Sequence, residues 1–151
     1  MKHFQRSVSI FFLLWTVIVA QECYLDRTFY IKAAVGGLSL DGSYPDNVKV
    51  IDYNGQAQQR WIIECGDQSG HFFIVNAYNG LVLDVQNLYV VLKTKSSSVS
   101  QQWTLNWNST IFNVGYNRNM DIYQGDFVSG NNVLIYQNSG LPQQIWNLQE
   151  V

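Results

Sequence analysis

The residues of this chain that could do chemistry are carboxylates repeated at regular positions. Three aspartates, Asp41, Asp84 and Asp121, each lie upstream of a Gln-x-Trp triplet. A carboxylate accepts hydrogen bonds from hydroxyl groups and can also act as an acid or a base. Catalysis is poorly supported, because His71 is the one histidine after residue 20 and no nucleophile, base and orienting group occur together. Two acids could serve glycoside hydrolysis, but repeated positions are mutually distant, so the sequence predicts no enzyme.

The aspartates belong to an internal repeat. The triplets are Gln59-Arg-Trp61, Gln101-Gln-Trp103 and Gln144-Ile-Trp146, and their tryptophans are 42 and 43 residues apart. Upstream of them lie the related segments Gly37-Leu-Ser-Leu-Asp41, Gly80-Leu-Val-Leu-Asp84 and the degenerate Asn117-Arg-Asn-Met-Asp121. Self-similarity at a fixed period indicates a repeat architecture. A propeller is disfavoured, because three blades are too few to close well.

Each repeat contains four short apolar runs rich in Val, Ile, Tyr and Phe, separated by Gly, Asn, Asp and Ser. This pattern is typical of an all-β barrel or sandwich. No helical period is found after residue 20. The predicted strands are residues 29–33, 38–41, 48–52 and 60–64, then 72–77, 82–85, 89–94 and 102–106, then 110–115, 120–123, 132–137 and 145–148.

The first twenty residues have the pattern of a signal peptide. Lys2, His3 and Arg6 form a basic start, and an uncharged apolar run follows to Ala20. This run is shorter than the roughly 20 residues that span a bilayer. We therefore expect a signal peptide over residues 1–20, one domain over residues 21–151 and a secreted, extracellular protein without membrane insertion; the alternative is an uncleaved N-terminal anchor.

The charge balance excludes some partners. The chain has 9 Lys and Arg against 11 Asp and Glu, a net charge of −2, and its basic residues after residue 20 form no cluster beyond Lys93 and Lys95. The basic footprint of a nucleic-acid-binding protein is absent. Two distant cysteines and one histidine make a poor metal set, so we expect no metal and no cofactor.

Three units of Gly-x-x-Leu-Asp leading to Gln-x-Trp resemble the ricin B-type lectins. The resemblance covers essentially residues 21–151 and implies a β-trefoil, a barrel of three four-stranded repeats with pseudo-threefold symmetry. It implies that the three tryptophans fill the shared core and that the glutamines of the triplets satisfy backbone groups where each repeat turns back. In this fold Cys23 and Cys65 would lie at the meeting ends of neighbouring strands, so we expect a disulfide between them. For a secreted chain, Asn108-Ser-Thr110 is an N-glycosylation acceptor.

The resemblance also implies where a sugar would bind. In this family the carboxylate ends the Leu-Asp step, an aromatic platform lies ten residues before the tryptophan, and an amide precedes the glutamine. The platform position is Ile51 in the first repeat and Lys93 in the second, where Ser100 also replaces the amide. The third repeat has every type, although Gln143 stands where the family has Asn. We therefore predict one competent site, formed by Asp121, Tyr136, Gln143 and Gln144, and weaker candidate sites formed by Asp41, Gln58 and Gln59 and by Asp84 and Gln101.

The predicted function is a carbohydrate-binding lectin for terminal galactose or N-acetylgalactosamine, with glycans or glycoproteins as partners. Other interpretations stay open. The aspartates could serve turns, where Asp bonds its own backbone, and Tyr136 could be an ordinary strand tyrosine. The alternative function is a secreted trefoil that has lost sugar binding and binds a protein partner instead.

Overall fold

The computed structural model describes residues 27–151, which form twelve β-strands. The strands of the first repeat are β1 (Thr28–Ala33), β2 (Leu38–Asp41), β3 (Lys49–Asp52) and β4 (Arg60–Cys65). Those of the second are β5 (Phe72–Asn76), β6 (Val82–Gln86), β7 (Tyr89–Lys93) and β8 (Trp103–Leu105), and those of the third are β9 (Ile111–Asn113), β10 (Arg118–Ile122), β11 (Asn131–Tyr136) and β12 (Trp146–Glu150). Each predicted strand is present, with ends within two residues of the prediction.

The pairing of these strands defines a β-trefoil. Antiparallel pairs β1–β4, β4–β5, β5–β8 and β8–β9 form a barrel wall, and β12 returns to pair with β1 over five residues, from Phe29↔Glu150 to Ala33↔Trp146. The remaining strands form three hairpins, β2–β3, β6–β7 and β10–β11. The hairpins contact one another through β3–β11 and β7–β11. The predicted all-β trefoil of three four-stranded repeats is therefore confirmed.

The barrel interior is filled by one residue set contributed by all three repeats. Trp61 and Trp103 are fully buried and Trp146 is 1% exposed, and aliphatic side chains such as Ile31, Leu83 and Ile135 pack against them. Burying an aromatic of this size contributes several kcal/mol, at about 25 cal/mol per Å² of apolar area. The prediction that the repeated tryptophans form the core is confirmed.

Special backbone positions mark the turns before each hairpin. Gly37 and Gly80 have φ of +66° and +72°, and the third repeat uses Asn117 at +55° in the equivalent place. Asn tolerates the left-handed region better than most residues with a side chain. The third repeat therefore forms the same turn although its motif lacks the glycine. Gly140, four residues before Gln144, also has a φ of +66°.

The described residues also contain four single-turn 3-10 helices, which the sequence pattern did not predict. Three of them end on the glutamine of a triplet: Ala57–Gln59, Val99–Gln101 and Pro142–Gln144. The fourth, Tyr123–Gly125, follows β10. Within residues 27–151 no helix has the length and apolar character needed to cross a membrane.

Candidate functional site

In every repeat the glutamine of the triplet holds the aspartate of the hairpin. The Nε2 group of Gln59, Gln101 or Gln144 donates to Oδ2 of Asp41, Asp84 or Asp121, at 3.1, 3.0 and 2.7 Å. Each tryptophan Nε1 donates at 3.1 Å to the carbonyl of the residue before the aspartate, which is Leu40, Leu83 or Met120. One triplet therefore fixes both the backbone and the side chain at the end of the hairpin strand.

The other hydrogen bonds of these glutamines are also internal. Gln144 donates to the Gln137 carbonyl at 2.8 Å and accepts from the Ser139 amide at 3.0 Å and from Asn119 Nδ2 at 3.2 Å. With its bond to Asp121, both hydrogens and both lone pairs of the amide are used, and the side chain is fully buried. Gln144 was predicted to contact the sugar, but the structure places it beneath the carboxylate, where it orients Asp121.

Gln59 and Gln101 have the same role in their repeats. Each bridges a backbone carbonyl, of Asp52 or Thr94, and a backbone amide, of Asn54 or Ser96, in addition to its aspartate. The prediction that these glutamines satisfy backbone groups is confirmed. Their burial, at 0 and 2% exposed, leaves no polar atom of theirs at the surface of the weaker candidate sites.

The three aspartates differ in the use of their second carboxylate oxygen. Oδ1 of Asp41 accepts from the Ser43 amide at 2.9 Å, and Oδ1 of Asp84 accepts from the Val85 amide at 2.7 Å. The Asp41 bond is the turn bond that the alternative interpretation anticipated, whereas the Asp84 bond is made to the next residue within β6. Among the described residues, none donates a hydrogen bond to Oδ1 of Asp121, a residue that is 5% exposed.

The environment of Asp121 also changes its ionisation. Burial raises the pKa of this carboxyl above its usual value, and the hydrogen bond from Gln144 opposes that shift only in part. A carboxylate that has lost much of its hydration and has one oxygen without an internal partner is well prepared to accept hydrogen bonds from a ligand.

The strand register places an aromatic ring beside this carboxylate. Asp121 pairs with Leu134 and Asn119 pairs with Tyr136, so Asp121 and Tyr136 are diagonal neighbours on one face of the β10–β11 hairpin, about 7–8 Å apart between backbones. Met120, on the opposite face, lies in the core. Tyr136 is 48% exposed, which leaves a large part of its side chain open to a ligand.

The same register confirms that the predicted platform positions are equivalent. Ile51 pairs with Ser39 in the first repeat, and Lys93 pairs with Val82 in the second, as Tyr136 pairs with Asn119 in the third. Only the third repeat has an aromatic ring at this position, so the aromatic platform and the unpaired carboxylate oxygen occur in the same repeat.

Gln143 lies beside the 3-10 turn that follows Asp121. Its Cδ and Oε1 atoms are 3.2 and 3.3 Å from the place where a Cβ on Gly125 would be. Gly125 also has a φ of +66°, which favours glycine there, and a Cβ at this position would displace the Gln143 amide by a few tenths of an ångström. The structure thus brings Asp121, Tyr136 and Gln143 to one region, with Gln144 beneath them.

Sequence reasoning missed two residues of this region. Asn119 occupies the position of Ser39 and Val82 in the other repeats, and its amide gives Gln144 a bond that the other triplets lack. The signal for it was its place two residues before Asp121 in the degenerate motif. Gly125 lies in a turn without a counterpart in the other repeats, so the repeat pattern could not have indicated it.

The remaining predicted residues lie apart from this region. Gln58 is half-buried, and its carbonyl accepts from Asn76 Nδ2 at 2.9 Å. Cys65 ends β4, whereas Cys23 lies outside the described residues, as do residues 1–20, so the disulfide and the signal peptide both stay predictions. Asn108 lies exposed on the β8–β9 turn. No group of three or more metal-ligating side chains occurs in residues 27–151.

Comparison with known proteins supports the fold. The model of the ricin-type beta-trefoil lectin domain-like family matches residues 57–136. The structure is similar to a designed threefold-symmetric protein, ThreeFoil, with a TM-score of 0.75 and 24% identity over 82% of this chain and 99% of that one. It is also similar to the C-half of an earthworm R-type lectin solved in complex with GalNAc, with a TM-score of 0.70 and 21% identity over 83% of this chain and 99% of that one.

Several other neighbours are longer than this chain. The chain has a TM-score of 0.77 and 16% identity to a mosquitocidal holotoxin, of which it covers 17%, while 83% of this chain is matched. No curated protein sequence matches the chain. These structural likenesses show the shared trefoil architecture.

Proposed function

Since the chain belongs to the ricin-type β-trefoil lectin domain-like family, we propose that it binds carbohydrate through one site in its third repeat. The observation that carries this proposal is the unpaired Oδ1 of Asp121, next to the exposed ring of Tyr136. The equivalent oxygens of Asp41 and Asp84 are occupied by backbone amides. We propose terminal galactose or N-acetylgalactosamine as the ligand.

Each part of the region has a distinct task in this proposal. Asp121 accepts hydrogen bonds from a pair of sugar hydroxyls, and its depleted hydration strengthens them. Tyr136 stacks against the apolar C–H face of the pyranose, as an aromatic platform with a few convergent polar groups requires. The Gln143 amide bonds a further hydroxyl. The GalNAc named in the complex of the earthworm lectin supports this class of ligand.

We propose a binding module without chemistry of its own. Asp121 shares no hydrogen bond with a second carboxylate among the described residues, and the other repeated aspartates lie in other hairpins. A glycosidase needs two carboxyl groups about 5–10 Å apart. The proposed partners are glycans or glycoproteins outside the cell, a location that rests on the signal-peptide pattern of residues 1–20.

A glycan-array experiment on the exported protein, followed by titration calorimetry, tests the function. We expect binding to terminal galactose or N-acetylgalactosamine with a stoichiometry of one. Tyr136→Phe keeps the ring and should retain binding, whereas Tyr136→Ala should lose it. Because Tyr136 is half-exposed at the end of β11, neither change should alter the fold.

Two outcomes would reject the proposal in different ways. No binding even at millimolar free sugar, which corresponds to only about −4 kcal/mol, would favour the alternative of a trefoil that binds a protein partner. A stoichiometry above one, or agglutination of cells by a demonstrated monomer, would contradict the assignment of a single site.

A further inference from the structure

The one fully exposed tryptophan of the described residues lies next to the predicted glycosylation acceptor. Trp107 is 98% exposed, whereas the core tryptophans are at most 1% exposed. Asn108, the acceptor asparagine, follows it on the turn between β8 and β9. A large aromatic side chain left entirely in water contributes no burial free energy to folding. A group attached to the neighbouring residue on the turn is the candidate for covering it.

The turn that presents both residues is well fixed. The Ser109 amide donates to the Asn106 carbonyl at 2.9 Å, and the Asn106 amide donates to the Thr110 carbonyl at 3.0 Å. Ser109 has a φ of +63°, as a β-turn with a following bulge residue requires. The Ser109 carbonyl in turn accepts from the Trp146 amide at 2.8 Å. Trp107 and Asn108 therefore occupy the two central positions of a rigid turn, with adjacent side chains.

The amide of Asn108 is oriented for substitution at its nitrogen. Its Oδ1 accepts from the Thr110 hydroxyl at 2.8 Å and from the Thr110 amide at 3.3 Å. These two donors require oxygen at that position, so the assignment of the amide atoms is determined. Among the described residues Nδ2 has no acceptor, so replacing one of its hydrogens breaks no hydrogen bond of the fold.

We propose that Asn108 carries an N-linked glycan and that its first N-acetylglucosamine stacks on the indole of Trp107. The donor is an oligosaccharide linked to a lipid pyrophosphate. A bond forms between Nδ2 and C1 of the sugar as the bond from C1 to the pyrophosphate oxygen breaks, the lipid pyrophosphate leaves with that electron pair, and Nδ2 loses one proton. The apolar face of the pyranose then covers an aromatic face.

This proposal is independent of the third-repeat site and rests on the predicted export of the chain. The fluorescence of the exported protein reports on it directly, because Trp15 lies in the predicted signal peptide and Trp61, Trp103 and Trp146 are buried. Trp107 is thus the tryptophan that a quencher in solution can reach. A Trp107→Phe variant gives the background from the core.

The experiment compares quenching by acrylamide, which is neutral, in three forms of the full chain secreted as a high-mannose glycoprotein. The forms are intact, trimmed to a single N-acetylglucosamine, and fully deglycosylated, which converts Asn108 to Asp. We expect the quenching constant of Trp107 to be lower by about a factor of two in the first two forms, because a stacked sugar shields one face of the ring. Asn108→Asp expressed without glycan should match the third form.

Two results would overturn the proposal. An exported chain whose intact mass shows no glycan on Asn108 would remove the modification itself. Equal quenching constants in all three forms would show that the glycan does not cover Trp107. Neither result bears on sugar binding by Asp121, which calorimetry measures separately.

Discussion

Replacing Asp121 with asparagine should weaken ligand binding without destabilising the fold, whereas replacing Asp41 with asparagine should destabilise the fold and leave ligand binding unchanged. In Asp121 one oxygen accepts from Gln144 and the other has no donor among the described residues. Asparagine can keep its carbonyl oxygen towards Gln144 and turn its NH₂ group to solvent. In Asp41 both oxygens accept internal hydrogen bonds, from Gln59 and from the Ser43 amide, so any NH₂ group meets a donor.

The magnitudes follow from these contacts. In Asp121→Asn a charge-assisted bond to the sugar becomes a neutral one, which weakens binding by about 1–2 kcal/mol, or about 5- to 30-fold in Kd. The free energy of unfolding at pH 7 should stay the same or rise, because burial raises the pKa of Asp121 and so disfavours its charged form in the folded state. Asp41→Asn should lower it by about 1–3 kcal/mol, because a buried donor is left unpaired.

Urea unfolding and titration calorimetry on both variants measure the two effects. Sugar affinity of the folded Asp41→Asn protein should equal that of the wild type. An Asp121→Asn variant as strongly destabilised as Asp41→Asn would show that the second oxygen of Asp121 has a structural partner. Unchanged sugar affinity in Asp121→Asn would show that the site lies elsewhere.

Three further changes test the assignment of one site to the third repeat. Sugar affinity should fall on acidification, because the ligand needs the ionised form of Asp121. The fall should begin at a higher pH than an ordinary aspartate would give, because the pKa of Asp121 is raised. An affinity that calorimetry finds unchanged across a pH series would refute this. Gly125→Ala should weaken binding and destabilise the fold by about 1–2 kcal/mol, because φ is +66° and Gln143 must move; unchanged unfolding in urea would contradict it. Lys93→Tyr should leave the stoichiometry of sugar binding at one, because Oδ1 of Asp84 already accepts from the Val85 amide. A second binding site in calorimetry would show that the second repeat lacks only the aromatic platform.

Much of the fold could be predicted because the same sequence motif occurs three times, so each copy supports the interpretation of the others. Three evenly spaced Gln-x-Trp triplets gave the symmetry, and symmetry then placed Trp61, Trp103 and Trp146 in one core. The strand register also agrees with the spacing from each tryptophan to its platform position, because Tyr136 pairs with Asn119 as the equivalent residues of the other repeats pair with each other. Periodic side-chain patterns report faithfully on which face of a strand is buried.

The difference between the three aspartates could not be predicted from their type. It depends on the direction of a backbone amide, that of Ser43 or Val85, relative to the carboxylate, and the local backbone conformation after each aspartate sets that direction. The position of Gln144 beneath Asp121, rather than against the sugar, was missed for a related reason. Sequence shows a polar side chain near the site, but whether it faces a ligand or lies buried beneath a carboxylate depends on the 3-10 turn that carries it.

The pairing of the first strand with the last has a consequence for how the chain is made. Phe29 pairs with Glu150, so one edge of β1 has no partner until the chain has been synthesised through β12. Contacts of such long sequence separation are slow to form, and an unpaired strand edge invites pairing with another chain. A chain shortened by the few residues of β12 would keep that edge open permanently. The β1 edge is therefore protected from pairing with other chains only once β12 has been synthesised and has paired with it.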